Sequence, residues 1–389
     1  TKEIAGAVTD SRQVQKDYLF IPIKGARVDG HDFIPQVFEK GALVVLSDHA
    51  LPEETGPYIL VSSTTEAMKK IAAFYRTQLS CKVVGITGSV GKTSTKEMIA
   101  SVLEQRYKVL KTEGNFNNEI GLPLTIFKIR AKHEVAVLEM GISDFGEMHR
   151  LAAMAQPDIG VITNIGLCHL ENLGTRDGIL QAKDIYATDI ENHGLEGMCA
   201  KIHTPQGDFD AKIPIPGGHN VYNALAGTAV GLQLGLSIRE IAQGIASVQT
   251  IAGRTNLLHV KGMTVIDDCY NANPVSMKAS IDVLAHTSGR RIAVLGDMGE
   301  LGAEEKELHR SIGKAVAASG IDALFCAGTL AEEYASEAKA NPECEVHYKK
   351  TREEMTEELL AYVKEGDTVL VKASHFMEFP KVVEALTKE

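Results

Sequence analysis

At 389 residues the chain is too long for one ordinary hydrophobic core and implies two or three domains. Hydrophobic residues make up 44% and charged residues 23%, a globular composition, and no run reaches the roughly 18 apolar residues of a membrane helix. A net charge of −11 without a basic stripe argues against a nucleic-acid partner, although a small phosphate site needs only local donors.

The opening stretch TKEIAGAVTDSRQ lacks the apolar centre of a signal peptide, and the six cysteines are scattered with no CxxC pair. Both features point to a reducing, cytoplasmic setting without a disulfide or zinc framework. Short apolar runs YLFIPI, GALVVLSD and YILV, then a helix over 64–78, make residues 1–80 a small α/β unit. From 81 the pattern changes. CKVVGIT is a buried strand, and the following helix places Met98, Ile99, Val102 and Leu103 on one face. EVAVLEM and IGVITNIG are near-continuous apolar strands of the kind found in covered parallel sheets. A third block from about 251 holds MTVIDD, RRIAVLGDM, DALFCAG and TVLVKAS between helical stretches such as 303–319, again a doubly wound pattern. The expected architecture is therefore α/β in three domains, 1–80, 81–250 and 251–389.

Between the strand at 81 and its helix lies TGSVGKTST. The usual phosphate loop, GxxxxGK[ST], needs a glycine where Ile86 stands, so the strict motif fails. Its physics survives. Gly88, Ser89, Val90 and Gly91 form a short strand-to-helix turn whose N–H groups, with the helix N-terminus, can cradle an anion. Lys92 can then reach the β/γ phosphates of ATP or GTP, and the Thr93 hydroxyl, followed by Ser94, can hold Mg2+. The plainer alternative is a glycine-rich connection without a ligand.

Glu139 ends a strand and points to the same crevice, either as a Mg2+ ligand or as a surface acid. His169 follows the next strand, as a ligand or a structural histidine. Asn220 and Asn223 precede a small-residue helix. Asp267, Asp268, Asn271 and Asn273 cluster after a strand, where they suit ribose and adenine or merely cap the helix at 275–285.

Taken together, TGSVGKTST, GNFNNEIGLP (114–123), LEMG, CHLENLG, HNVYNALAG, AGR (252–254), DDCYNANP and LGDMGELG (295–302) resemble the Mur ligases of bacterial cell-wall synthesis. GNFNNEIGLP, YNANP and LGDMGELG resemble the branch that adds D-Ala-D-Ala to UDP-MurNAc-tripeptide. The resemblance implies a UDP-sugar-binding domain, a central ATPase-like domain and a C-terminal Rossmann-like domain. It implies phosphorylation of the peptide carboxylate by ATP, then attack by the amine of D-Ala-D-Ala on the acyl phosphate. Lys92 would contact the phosphates, and Asn118 would lie near the γ-phosphate. Thr93 and Glu139 would hold a first Mg2+ and His169 a second, with Lys183 carbamylated beside it. Without the resemblance, Lys183 is an ordinary helical lysine. Asn223, Arg254, Asp268 and Asn271 would surround ATP, whereas Ser11, Arg12, Lys24, Gly25, Asp29, Gly30 and His31 would hold the uridine nucleotide. A monomer is expected.

The chain departs from the family pattern at Val90, where asparagine is common, and at Ala373 and His375, which replace a KGSRxM-like run. It is also short: 34 positions separate Lys183 from Gly217, and EIAGAV runs directly into TDSR, losses that would leave sheet edges unpaired. Rival readings are a Mur-type ligase adding a single amino acid and, in a different class, a P-loop kinase or ATPase. Whether the third peptide residue is lysine or diaminopimelate is not encoded in any motif.

Overall fold

The computed structural model describes residues 2–25, 28–142, 144, 146–163 and 185–388, which divide into two compact units, Thr1–Gly178 and Ile179–Glu389. His169 and Lys183 lie outside the described residues.

The first unit begins with a four-stranded parallel sheet in the order β1 (Gly6–Val8), β2 (Tyr18–Phe20), β3 (Val44–Ser47) and β4 (Tyr58–Leu60). At the 8–9 junction the chain passes from β1 into a 3-10 turn, Ser11–Gln13, capped by the Asp10 side chain on the Arg12 N–H. The outer strand β4 leaves Ile59 and Leu60 exposed. Helix α1 (Ile34–Glu39) covers one face with Ile34 and Val37. The helix expected over 64–78 is α2 (Thr64–Thr77), started by Ser63, whose hydroxyl accepts the Glu66 N–H.

The second sheet of this unit follows in the order β6 (Val109–Lys111), β7 (Val135–Glu139), β5 (Lys82–Thr87) and β8 (Ile159–Ile162), all parallel. Its helices are α3 (Lys92–Leu103), α4 (Gly121–Ile126) and α5 (Glu147–Ala155). Helix α2 buries Met68 and Ala72 in one core with Leu19 and Leu46 of the first sheet and Val83, Ala136 and Leu138 of the second. Arg76 fixes that arrangement. Its buried guanidinium donates to the carbonyls of Ala155 and Gln156 and to Asp158. Strand β5 is central, with β7 and β6 on one side and β8 on the other. The crevice beyond its carboxyl end is where such sheets bind ligands.

The second unit opens with an antiparallel sheet, β9 (Tyr186–Asn192), β10 (Met198–His203) and β11 (Phe209–Ile213), in the order β11-β10-β9. The short 183–217 stretch thus contains paired strands, marked in sequence only by alternation such as FDAKI at 209–213. Helices α6 (His219–Gln233) and α7 (Ile238–Ala246) follow, the second started by a reciprocal Ser237–Glu240 cap.

A six-stranded sheet completes the unit: β12 (Asn256–Val260), β13 (Met263–Asp267), β14 (Arg290–Gly296), β15 (Ala323–Ala327), β16 (Glu345–Lys349) and β17 (Asp367–Lys372). The order is β12-β13-β17-β14-β15-β16, parallel except for β12. Helices α8 (Pro274–Ala285), α9 (Glu305–Ala318) and α10 (Ala331–Ala338) cover one face, and α11 (Arg352–Tyr362) and α12 (Pro380–Thr387) the other. Burial on both faces explains why its inner strands read as unbroken apolar runs. Among the described residues Cys81, Cys199, Cys269, Cys326 and Cys344 are free thiols, and no helix is long and apolar enough to cross a membrane.

Candidate functional site

The loop after β5 turns on two glycines, Gly88 at φ +138° and Gly91 at φ +84°. A Cβ at Gly91 would meet nothing closer than 4.0 Å, so its left-handed backbone, and not crowding, asks for glycine. Gly91 is the N-cap of α3, which directs the first N–H groups of the helix into the loop. Lys92 folds back, its Nζ donating to the Gly88 carbonyl at 2.7 Å, and Thr163 Oγ1 donates to the Val90 carbonyl at 2.5 Å. The second contact uses only the backbone of Val90, so the side chain that replaces asparagine takes no part in it.

Glu139 is buried at the end of β7, and every part of it is held. Thr93 Oγ1 donates to Oε2 at 3.0 Å, Asn117 Nδ2 donates to Oε1 at 2.9 Å, and its own N–H donates to Thr112 Oγ1 at 2.9 Å. Lys96, also buried, donates to the Thr112 carbonyl at 2.6 Å and pairs with Glu97 at 3.0 Å. A buried carboxylate beside a hydroxyl at the mouth of an anion cradle is an all-oxygen donor set suited to Mg2+. Asn118, expected near a phosphate, has Oδ1 committed to the N–H groups of Ile120 and Gly121 at the start of α4. Asn117, Thr112 and Lys96 were not singled out from the sequence. Only the doubled asparagine of GNFNNEIGLP hints at two roles.

In the second unit the carboxyl ends of the neighbouring strands β13, β17 and β14 converge. Asp268 accepts from Lys372 Nζ at 2.6 Å, from Ser280 Oγ at 2.5 Å and from the Thr255 N–H at 3.1 Å. Lys372 also donates to the Asn271 carbonyl at 3.1 Å. Asn271 Oδ1 accepts the Ala272 N–H, and Asn273 caps α8 through the Ser276 N–H. Asp267 accepts the Gly253 N–H and the Cys269 thiol. Burial, with Asp267 alongside, pushes that thiol well above its usual range. The Arg254 guanidinium lies 4.1 Å from the Tyr270 ring centre, and His375 meets the same ring edge-on at 6.3 Å.

Ser374 ties the three loops together. Its N–H donates to the Asp297 carbonyl, while its Oγ accepts the Gly299 N–H at 2.8 Å and donates to the Ala272 carbonyl. The unusual Ala373 is fully buried, and a Cβ on Gly296 would stand 2.7 Å from its own, so the methyl group fits because residue 296 has none. His219 opens α6 at an exposed position, close enough to Asp268 and Lys372 to feel both charges. Asn220 donates to the Pro216 carbonyl at 2.8 Å and accepts from Asn223 at 2.8 Å. Lys372 and Tyr270 are the residues here that sequence reasoning passed over. A lysine ending an otherwise apolar central strand was the available signal.

The uridine candidates sit in the first sheet's loops. Ser11 is buried, and Arg12 pairs with Asp10, whose carboxyl it holds below the usual range. Lys24 and Asp29 bridge across a turn closed by the Gly25 N–H on the Val28 carbonyl. A Cβ at Gly30 would lie 2.7 Å from the Ile23 backbone nitrogen, a close approach that only glycine allows. Asp29 accepts from both the backbone and Nδ1 of His31.

Three family models match the chain: the Mur ligase catalytic domain over residues 3–76, the Mur ligase middle domain over 86–195 and the Mur ligase glutamate ligase domain over 253–375. The chain is 38% identical to the UDP-N-acetylmuramoyl-tripeptide–D-alanyl-D-alanine ligase of Bacillus subtilis, covering 98% of this chain and 93% of that protein. The alignment spans 433 positions, more than the chain itself contains, so this relative carries internal residues that the chain lacks. Among solved structures, MurF from Acinetobacter baumannii superimposes with a TM-score of 0.88 at 30% identity, over 100% of this chain and 94% of that one. MurF from Thermotoga maritima, solved in complex with ADP, gives 0.83 at 30% identity, over 99% and 98%.

Proposed function

The chain belongs to the Mur ligase family, and from that premise we propose that it joins D-Ala-D-Ala to UDP-MurNAc-tripeptide at the expense of ATP. The observation that carries this reading is the contact of Thr93 with Glu139 at the mouth of a phosphate-type loop, within a chain related to such ligases over nearly its whole length.

A peptide carboxylate is a poor electrophile. Its oxygen attacks the γ-phosphorus of ATP and ADP leaves, which gives an acyl phosphate. The amine of D-Ala-D-Ala then attacks the acyl carbon, loses a proton, and phosphate departs as the amide forms. The chain's task is to position these anions and offset their crowded charge. The N–H groups of the loop and of α3 cradle the β/γ phosphates, and Lys92 exchanges its contact with the Gly88 carbonyl for phosphate oxygens. Thr93 and Glu139 hold Mg2+, which neutralises phosphate charge when bound, and Asn117 and Thr112 keep the carboxylate aimed. Asn118 sets the start of α4 beside the γ-phosphate.

His169 and a carbamylated Lys183 take a second Mg2+. Asn223, Arg254, Asp268 and Asn271 take the nucleotide's phosphates, ribose and base, with Tyr270 supporting Arg254. Ser11, Arg12 and the 24–31 turn take the uridine nucleotide. The chain works as a monomer in the cytoplasm.

The test supplies ATP, Mg2+, UDP-MurNAc-tripeptide and D-Ala-D-Ala and omits each acceptor in turn. Phosphate release that needs both acceptors supports the ligase. Release that ignores them would return the chain to the kinase or ATPase class.

A further inference from the structure

Where β3 ends in the first unit, three side chains converge that the ligation chemistry does not use together: His31, Asp48 and His49. Their potential ligand atoms all lie within 4.8 Å of one another. His31 Nδ1 is 2.6 Å from Asp29 Oδ1, which already accepts the His31 backbone N–H. An Nδ1–H donor directed at a carboxylate leaves the lone pair on Nε2. That Nε2 is buried, has no hydrogen-bond partner, and belongs to a side chain only 6% exposed. It faces Asp48 Oδ1 at 3.4 Å, and the same oxygen lies 2.8 Å from His49 Nδ1.

Whenever the His31 ring is neutral, this lone pair faces a carboxylate, which is repulsive. A cation between them removes the conflict. We propose that His31 Nε2, Asp48 and His49 form a site for one transition-metal dication of the zinc class, with Asp29 as the carboxylate that orients His31.

The geometry and chemistry agree. Tetrahedral zinc with bonds of about 2.0–2.2 Å separates adjacent ligand atoms by roughly 3.4 Å, the spacing of His31 Nε2 from Asp48 Oδ1. Two imidazoles and a carboxylate select a borderline-soft ion over Mg2+ or Ca2+. The Asp29–His31 pair supplies the outer hydrogen bond that metal-bound histidines usually make. The scaffold is fixed on both sides. Ser47, fully buried, donates to the His49 carbonyl at 2.6 Å and accepts its N–H, and His31 is held by the turn around Gly30. The two imidazole ring centres lie 4.8 Å apart. The half-exposed His49 ring needs only a side-chain rotation to complete three ligands, leaving a fourth position for water. A nucleotide cannot reach the buried Nε2, but a single ion inserted beside Asp48 can.

The experiment uses the full chain, stripped of metal and then equilibrated with Zn2+ and, separately, with Co2+ as a spectroscopic probe. Unsubstituted protein should bind one more equivalent of Zn2+ than His49→Ala or Asp48→Asn, or bind it at least 10-fold more tightly. Asp29→Asn should weaken that site roughly 10- to 100-fold. His49→Cys should retain the ion and add a sulfur-to-cobalt charge-transfer band. His49 is exposed enough for both of its variants to fold, which thermal melts check independently. Equal stoichiometry and affinity in all variants would overturn the proposal. So would an imidazolium at His31 that persists at neutral pH in Zn2+-loaded protein, because a proton would then fill the place assigned to the metal.

Discussion

Thr93 and Glu139, 46 positions apart in sequence, meet through a 3.0 Å hydrogen bond from hydroxyl to carboxylate. The first opens the helix after the phosphate loop and the second closes a neighbouring strand, so parallel pairing of β5 with β7 brings them together. Asn117 then removes any freedom of the second carboxylate oxygen.

Glu139→Gln keeps the shape but removes the charge that would hold Mg2+. We expect kcat for ligation to fall by roughly 100-fold or more, comparable to losing a transition-state electrostatic contact. The Mg2+ concentration needed for half-maximal rate should rise. Asn117→Ala should move the same Mg2+ dependence by less, because it acts through Glu139. Steady-state kinetics across a Mg2+ titration separate the two.

Gly91→Ala tests the loop's backbone. Space is available for the methyl group, so only left-handed strain remains, about 1–3 kcal/mol. Denaturant melts should show a loss of that size, accompanied by a raised KM for ATP as the cradle shifts. An unchanged melt would mean that the loop relaxes without cost.

Lys372 and Asp268 form a buried ion pair. Lys372→Met strands a carboxylate among Ser280 and backbone donors, and should cost about 3–5 kcal/mol. Adding Asp268→Asn should recover much of that loss. A double-mutant cycle by urea unfolding measures the coupling, and additive losses would count against it.

Lys183→Ala should lower the ligation rate strongly, with partial rescue by short carboxylates that replace a carbamate. An unchanged rate without rescue would remove the carbamate role from Lys183.

Strand and helix positions were legible wherever the local pattern was strong. CKVVGIT, EVAVLEM, RRIAVLGDM, DALFCAG and TVLVKAS each contain a strand, and the helices over 64–78 and 275–285 are present within a residue or so. The strands at 186–213 were passed over because none contains an unbroken apolar run, although β10 and β11 bury alternate residues and FDAKI alternates apolar with polar. Gly91, Lys92 and Thr93 could be singled out because phosphate chemistry constrains spacing along the chain, and Glu139 because it ends an apolar strand. Asn117 was passed over for Asn118, since adjacent asparagines differ only in where the turn points them. The first holds Glu139 and the second caps α4.

The sequence by itself determined the alternation of strands and helices, the glycine turn ahead of Lys92 and the family to which the chain belongs. These depend on residue type at short separations, where burial period and backbone φ act locally. Tertiary structure decided which carboxylate meets which donor. Glu139 with Thr93, Asp268 with Lys372 and His31 with Asp48 are pairings set by strand order, and strand order follows from how the apolar faces pack over the whole domain.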